Sequence, residues 1–414
     1  LNLIDPELFR IKNYKRFWVG QVLSFMANQI VMMALGWHLY TLTHSALSLG
    51  YLGLVLFLPQ VFLVLTVGQV ADRYNRRKII LVTQCLEAII SLSLCASVLL
   101  NIESAHWIFI AAFCIGSVRA FQGPALQALL PNLVGLELLH KAIALGSASR
   151  QFATIAGPAL GGLLFLGGTP FVYASSGLFF IVAVTQIFSI RFTQQTQQYA
   201  PVTREFLFAG VKFIWERKIV LGAISLDLFS VLLGGATALL PIYAEKILHV
   251  GTLGLGFLRA GPAIGALILA IYLSRNPLQK NAGRTMFVCV AIFGVTTLIF
   301  GLSEWFLLSL VALIVMGAAD MVSVVIRSTL VQLQTPNEMR GRVGAVNSIF
   351  IGASNQLGEF ESGVTAEFFG VVPAVVLGGL GTLLIVGIWL KLFPELYTWG
   401  TDPDKKNVSN GKDS

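Results

Sequence analysis

The sequence predicts an all-α membrane protein of twelve spanning helices, and three observations carry that prediction. Of 414 residues, 56% are hydrophobic and 12% charged, where a soluble globular chain carries roughly 25% charged residues. Apolar runs close to twenty residues long recur along the chain, the length that a hydrocarbon core of about 30 Å demands of a helix. The cations collect in alternate connections between those runs. A soluble core stops growing near roughly 250–300 residues, so lipid is the solvent that fits this composition. Without water to satisfy the backbone, spanning elements must be helices or a closed barrel, and long unbroken runs select helices.

The spans predicted for the first half are 17–42, 46–70, 79–100, 105–129, 142–166 and 170–192. Those of the second half are 219–246, 252–274, 285–302, 305–330, 343–369 and 373–393. The first run is too long for a signal-peptide core and is expected to remain as the first span.

The formal net charge of +8 is a matter of topology. Arg10, Lys12, Lys15 and Arg16 precede the first span, and Arg73, Arg76, Arg77 and Lys78 follow the second. Arg191, Arg204, Lys212, Arg217 and Lys218 lie in the central connection, and Arg275, Lys280, Arg284, Arg340 and Arg342 in later loops of the same parity. The opposite connections, 43–45, 101–104, 167–169 and 303–304, carry almost no charge, and Lys246 is the basic residue on that side. The asymmetry predicts cytoplasmic termini, with the lipid bilayer as partner and nucleic acid excluded. Cys85, Cys95, Cys114 and Cys289 all lie inside apolar runs without metal-ligand spacing, so they read as buried thiols and no metal is expected.

Four regions follow: a six-helix half over 1–192, a linker over 193–218, a second six-helix half over 219–398, and a disordered cytoplasmic tail over 399–414. In the linker, the polar stretch 193–199 leads into an amphipathic helix over 203–218, where Phe206, Val211, Phe213, Ile214 and Trp215 alternate with charges. Such a helix lies on the membrane face. The halves echo each other: an offset of 203 residues sets Gly53 on Gly256 and Pro59 on Pro262, and an offset of 205 sets Gln127 on Gln332 and Pro131 on Pro336.

The sharpest motif is Gly68-Gln-Val-Ala-Asp72-Arg73-Tyr-Asn-Arg76-Arg77-Lys78. Glycine permits close helix approach at the span end, and an acid among four cations can cap a helix or pair with arginine. This stretch resembles the signature loop of the major facilitator superfamily. Arg119-Ala-Phe-Gln122-Gly123-Pro124-Ala125 is similar to that superfamily's fourth-span arginine motif. Gly157-Pro158-Ala-Leu-Gly161-Gly162 is similar to the fifth-span motif of its exporters, with Ala153 standing where the pattern has its first glycine. Leu130-Pro131-Asn132-Leu133, followed by 144–151, resembles the subfamily that holds the enterobactin exporter and macrolide efflux proteins.

The resemblance implies a twelve-helix bundle of two six-helix halves related by a pseudo-twofold. It also implies a multi-pass protein of the bacterial inner membrane, expected to be monomeric, that needs no cofactor beyond a proton gradient. The function implied is secondary active efflux of a small organic solute, drug or siderophore in type, by alternating access. No motif encodes direction, so an importer, a facilitator or a lipid flippase on the same fold stays open. A membrane enzyme is disfavoured, because the loops are short and hold no catalytic cluster.

Charges inside spans mark the candidate machinery, since an ionised side chain at mid-membrane costs at least about 2.5 kcal/mol. Asp227 and Asp320 lie within spans, as do Glu359 and Glu361 in the eleventh. At 100° per residue, Ser348, Asn355, Glu359 and Ser362 share one face. Ser354, Gly358, Glu361 and Thr365 share another, so one face can line a cavity while the other meets a neighbour. Glu359 or Asp227 is expected to carry the proton, with Arg119 or Arg150 as charge partner; a static ion pair is the competing reading. For Arg119 and Arg150 the alternative is snorkelling to the interface, and Arg327 lies near enough to its span end to do the same.

Gln21, Ser24 and Asn28 share a face of the first span and, with Gln122 and Asn355, are candidate cavity residues. Members of the family often carry Asp at the Asn28 position, so the amide argues against proton coupling through the first half. Gly68, Asp72, Arg73 and Arg77, with Gly157, Pro158, Gly161 and Gly162, are candidate gating residues; for the last four, tight packing is the alternative to a gating bend. His38, beside Trp37 and Tyr40, reads as part of an interfacial belt, and Glu367 as solvated.

Overall fold

A chain that cannot hydrogen-bond to its solvent closes its backbone bonds within each segment, and the described residues form helices with no strand. The computed structural model describes residues 6–190, 204–276 and 281–400, without the side chains of 6, 64–65, 68–69, 71–73, 136 and 204–207. The 193–199 stretch, Arg191, Lys280 and the tail from 401 lie outside the described residues.

A short α1 (Pro6–Arg10) precedes α2 (Lys12–Thr43), α3 (Ala46–Arg73), α4 (Arg76–Leu99), α5 (Ala105–Leu164) and α6 (Thr169–Phe188). The linker helix α7 (Arg204–Glu216) is followed by α8 (Lys218–Leu233) and α9 (Leu240–Ile242), then α10 (Gly251–Arg275) and α11 (Ala282–Leu302). Next come α12 (Phe306–Gln334), α13 (Arg340–Phe369), α14 (Val371–Leu392) and α15 (Pro394–Tyr397). Side-chain caps start several of them. Ser45 accepts from Ser48 N at 3.3 Å, Asn75 from Arg77 N at 3.0 Å, and Ser104 from Trp107 N at 3.3 Å. Each satisfies a donor that the first helical turn leaves open.

Two elements differ from the predicted spans. The fourth and fifth are continuous in α5 and bend at Gly135, where φ is +73°, a conformation that glycine adopts without cost. The predicted connection over 130–141 therefore shrinks to one residue. The seventh span is broken after Leu233: Gly234 and Gly235 interrupt it, and a 3₁₀ turn (Ala236–Leu239), α9 and a π turn (Tyr243–Ile247) complete it. A side chain at Gly235 would run into the carbonyl of Gly358, while Ser362 Oγ would lie at 3.0 Å. Counting α5 as two arms, the twelve long helices are present. Ten segments are long and apolar enough to cross a membrane by composition. The others are the second arm of α5, over 136–164, and α13, which carries Glu359, Glu361 and Glu367.

The chain divides into two compact units. The first holds Leu1–Arg204, Thr237–Ala260 and Gly363–Phe368; the second holds Glu205–Ala236, Gly261–Ser362 and Phe369–Ser414. The first packs around Ala27, Ile30, Ile115 and Phe180 and around Phe17, Ile80, Leu129 and Ile187. The second packs around Leu226, Phe287, Ile326 and Trp389. Large apolar side chains such as Phe62, Ile89, Phe113, Leu178 and Leu384 point outward, as lipid-facing surfaces require. In α7, Ile214 is buried while Phe208, Val211 and Trp215 are exposed, Trp215 at 73%.

Candidate functional site

Two buried polar clusters stand out, one in each unit, and each is built from the first, third and fourth spans of its half. In the first unit these are α2, α4 and the first arm of α5. Ser24 and Asn28 lie one turn apart on α2, and Arg119 and Gln122 one turn apart on α5, so each pair presents a single face. Glu87 enters from α4 with 1% of its surface exposed. Asn28 Nδ2 donates to Glu87 Oε1 at 3.1 Å, and Gln122 Nε2 donates to Glu87 Oε2 at 3.2 Å. Arg119 donates to Asn28 Oδ1 from Nη2 at 2.8 Å and from Nε at 3.0 Å. Its Nη1 meets Met32 Sδ at 3.3 Å.

A guanidinium only donates and a carboxylate only accepts. Asn28 offers one of each, so it fits between them where an aspartate would set a second anion against Glu87. The acid that position 28 lacks is thus supplied from α4. Glu87 is the residue the sequence reading missed, although the rule applied to the other acids singles it out at the middle of span 79–100.

In the second unit, α8 supplies Asp227 and Ser230, α11 supplies Cys289, and α12 supplies Asp320, Ser323 and Arg327. Asp227 Oδ2 and Arg327 Nη1 form an ion pair, with Arg327 only 2% exposed. Two expectations change here. Arg327 does not snorkel, because its partner lies inside the unit. The charge partner of Asp227 is Arg327 rather than Arg119 or Arg150. Arg150 is exposed, with its guanidinium 4.8 Å from the Phe25 ring centroid. Asp227, Ser230, Asp320 and Ser323 line a small cavity of about 10 Å³, bordered by Cys289 and Phe293 among others.

On α13, Ser354 and Gly358 lie buried, and Gly358 packs against the backbone of Val231 and Leu232. Asn355 is exposed and donates to Ile351 O at 2.9 Å; Glu359 and Glu361 are half-buried. Gln21 is half-buried and faces Gly146 on the second arm of α5.

Among the gating candidates, the side chains of Asp72 and Arg73 and the surroundings of Gly68 lie outside the described residues. Arg77 donates from Nε to Ile187 O at 3.1 Å and from Nη2 to Phe188 O, and Arg16 Nη1 reaches Ser189 O at 2.5 Å. Both cations thereby serve the carbonyl end of α6, where the helix dipole is negative. The backbone stays helical through Pro158. Gly161 faces α2, where a Cβ would lie 3.1 Å from Met33 Sδ, and Gly157 meets Gln29 on the same helix. Gly162 faces α10, where a Cβ would lie 2.6 Å from Thr252 O.

Two further side chains have partners that the sequence did not indicate. His38 is buried, and its ring meets Glu103 Oε2 at 2.9 Å and Tyr173 Oη at 3.2 Å. Glu367 is exposed yet engaged, accepting from Ser45 Oγ at 3.2 Å and Leu47 N at 3.3 Å. The open N–H groups and positive dipole at the start of α3 explain its position.

Twelve long helices with charged groups buried at mid-span define a multi-pass membrane transporter. The family described as transmembrane secretion effector matches residues 6–410, and the chain belongs to that family of the major facilitator superfamily. Over 400 residues it is 25% identical to the enterobactin exporter EntS of Escherichia coli O157:H7 (strain EC4115 / EHEC), covering 96% of each chain. Over 399 residues it is 25% identical to EntS of Shigella boydii serotype 18, covering 96% of this chain and 95% of the relative. A solved bacterial homologue of the human lysosomal transporter Spinster matches with a TM-score of 0.73 at 13% identity, over 96% of this chain and 98% of that one. A bacterial homologue of the iron transporter ferroportin matches with a TM-score of 0.70 at 15% identity, over 93% and 99%. At such identity these structures speak for the fold alone. Members of the family are transporters, not enzymes.

Proposed function

We propose that this protein is a proton-coupled exporter of a small organic solute, working by alternating access in a bacterial inner membrane with both termini cytoplasmic. The observation that carries the reading is the buried Glu87 carboxylate, held by the amides of Asn28 and Gln122 and joined through Asn28 to Arg119. Ionised, Glu87 accepts from both amides and balances the guanidinium. When it takes a proton, one oxygen becomes a donor and the negative charge is gone. Asn28 Nδ2 then loses its strongest acceptor, and Arg119 is left with an uncompensated charge. A solute hydroxyl or other donor that hydrogen-bonds the carboxylate from the cavity side needs Glu87 ionised. Proton and solute therefore compete for the same carboxylate, which is what antiport requires.

In this reading, Gln21, Ser24, Gln122 and Asn355 are cavity residues, and Asp227, Asp320, Glu359, Glu361 and Arg150 contribute charge along the path. Gly68, Asp72, Arg73 and Arg77 and the Gly157–Gly162 cluster govern the alternation.

Everted membrane vesicles given an inward-acid pH jump test the proposal with radiolabelled enterobactin as probe. Native protein should accumulate it, and Glu87→Gln should lose the response to the pH jump while still binding it. Accumulation only in right-side-out vesicles would make the protein an importer. Unchanged pH-driven flux in Glu87→Gln would remove Glu87 from the mechanism.

A further inference from the structure

The second unit repeats the arrangement of the first with one member missing. In the first unit the third helix fills the cluster with Glu87, and the donors there have acceptors. In the second unit the third helix brings Cys289, Val290 and Phe293 to the equivalent place, and a cavity remains. Ser230, 3% exposed, lines that cavity, and its Oγ has no hydrogen-bond partner. Asp320 and Ser323 present a carboxylate and a hydroxyl to the same space.

Charge and size narrow what belongs there. Asp227 and Arg327 cancel, so an ionised Asp320 gives the cluster one net negative charge, which in a low-dielectric interior is balanced by a proton or by a bound cation. At about 10 Å³ the cavity lies far below the roughly 300–1,000 Å³ of organic-ligand pockets. That is room for about one water-sized particle, a single ion stripped of most of its water. The available donors are carboxylate and hydroxyl oxygens, which suit hard cations. A divalent ion would overshoot the charge and demands about six or more oxygens.

We propose that this cavity is a binding site for one monovalent hard cation of sodium size, held by Asp320, Ser230 and Ser323, with Asp227 oriented by Arg327. The inference goes beyond the proposed efflux function and does not depend on it.

Equilibrium binding of radioactive sodium to the purified full-length protein in nanodiscs, at constant ionic strength with choline as replacement, tests it. The expected result is saturable binding of one ion per chain, with potassium competing at least about tenfold more weakly and Ser230→Ala weakening binding about tenfold. Asp320→Asn should abolish it. Ala319→Leu, which fills the cavity and leaves every oxygen ligand in place, should abolish it too and covers the case in which Asp320→Asn fails to fold. No saturable sodium binding by the native protein overturns the proposal. Undiminished binding by a folded Asp320→Asn or Ala319→Leu protein overturns it as well. The assay uses neither a pH gradient nor an organic solute, and Glu87→Gln should bind sodium as the native protein does. Failure of the cation site is therefore separable from failure of proton-coupled efflux.

Discussion

Glu87 and Arg119 communicate through one side-chain amide: Asn28 gives its N–H to the carboxylate at 3.1 Å and its carbonyl oxygen to the guanidinium at 2.8 Å. The charges come from α4 and α5, and the amide between them from α2, so one residue ties three helices. A change at position 28 therefore reaches all three helices.

Replacing Asn28 by Leu should strand the Arg119 guanidinium and leave Glu87 only the Gln122 amide. Leaving a buried charge without its partner costs about 3–5 kcal/mol. Unfolding in mixed detergent micelles should show a loss of that size, and a loss below about 1 kcal/mol would mean that the amide is not a necessary link.

The Asp227–Arg327 pair should behave non-additively. Either Asp227→Leu or Arg327→Met alone leaves an unpaired buried ion and should destabilise by about 3–5 kcal/mol. The double variant should be less damaged than either single one, because an apolar pair of similar volume needs no partner. Additive losses in the same unfolding assay would contradict the pairing.

Gly162 and Gly123 offer a contrast within one helix. A Cβ on Gly162 would press on the Thr252 carbonyl, whereas one on Gly123 meets nothing within 4 Å. Gly162→Val should cost about 1–3 kcal/mol through overpacking of α5 against α10 and slow transport of a pH-driven probe. Gly123→Ala should be neutral or slightly stabilising. Equal effects would show that the α5–α10 contact is not tight.

Ser45 caps α3 through Ser48 N and also holds Glu367. Ser45→Ala should therefore cost about 1 kcal/mol and raise amide exchange in the first turn of α3 in hydrogen–deuterium exchange. Exchange unchanged at 46–49 would argue that Glu367 alone supplies the cap.

The helices were legible because hydrophobic length is a one-dimensional property. Span limits such as 46–70 and 252–274 fall within a few residues of Ala46–Arg73 and Gly251–Arg275. The breaks were less so. Gly135 looks like many glycines in the chain, and nothing in its sequence neighbours marks it for a φ of +73°. Gly234 and Gly235 are adjacent in the sequence, but their effect on span seven depends on Gly358 arriving from α13.

What the sequence determined alone was the solvent, the number of helices, the sidedness expected of the loops and the kinds of side chain forced into the membrane. Each depends on residue type and spacing along one helix. Which charges meet was decided only by the tertiary structure. Asp227 lies 100 residues from Arg327, and Asn28 lies 59 from Glu87 and 91 from Arg119. Helical periodicity says which face a side chain occupies and nothing about the helix it faces. The partner of a buried charge is set by how helices pack, because the cost of leaving that charge unpaired is paid only when they do.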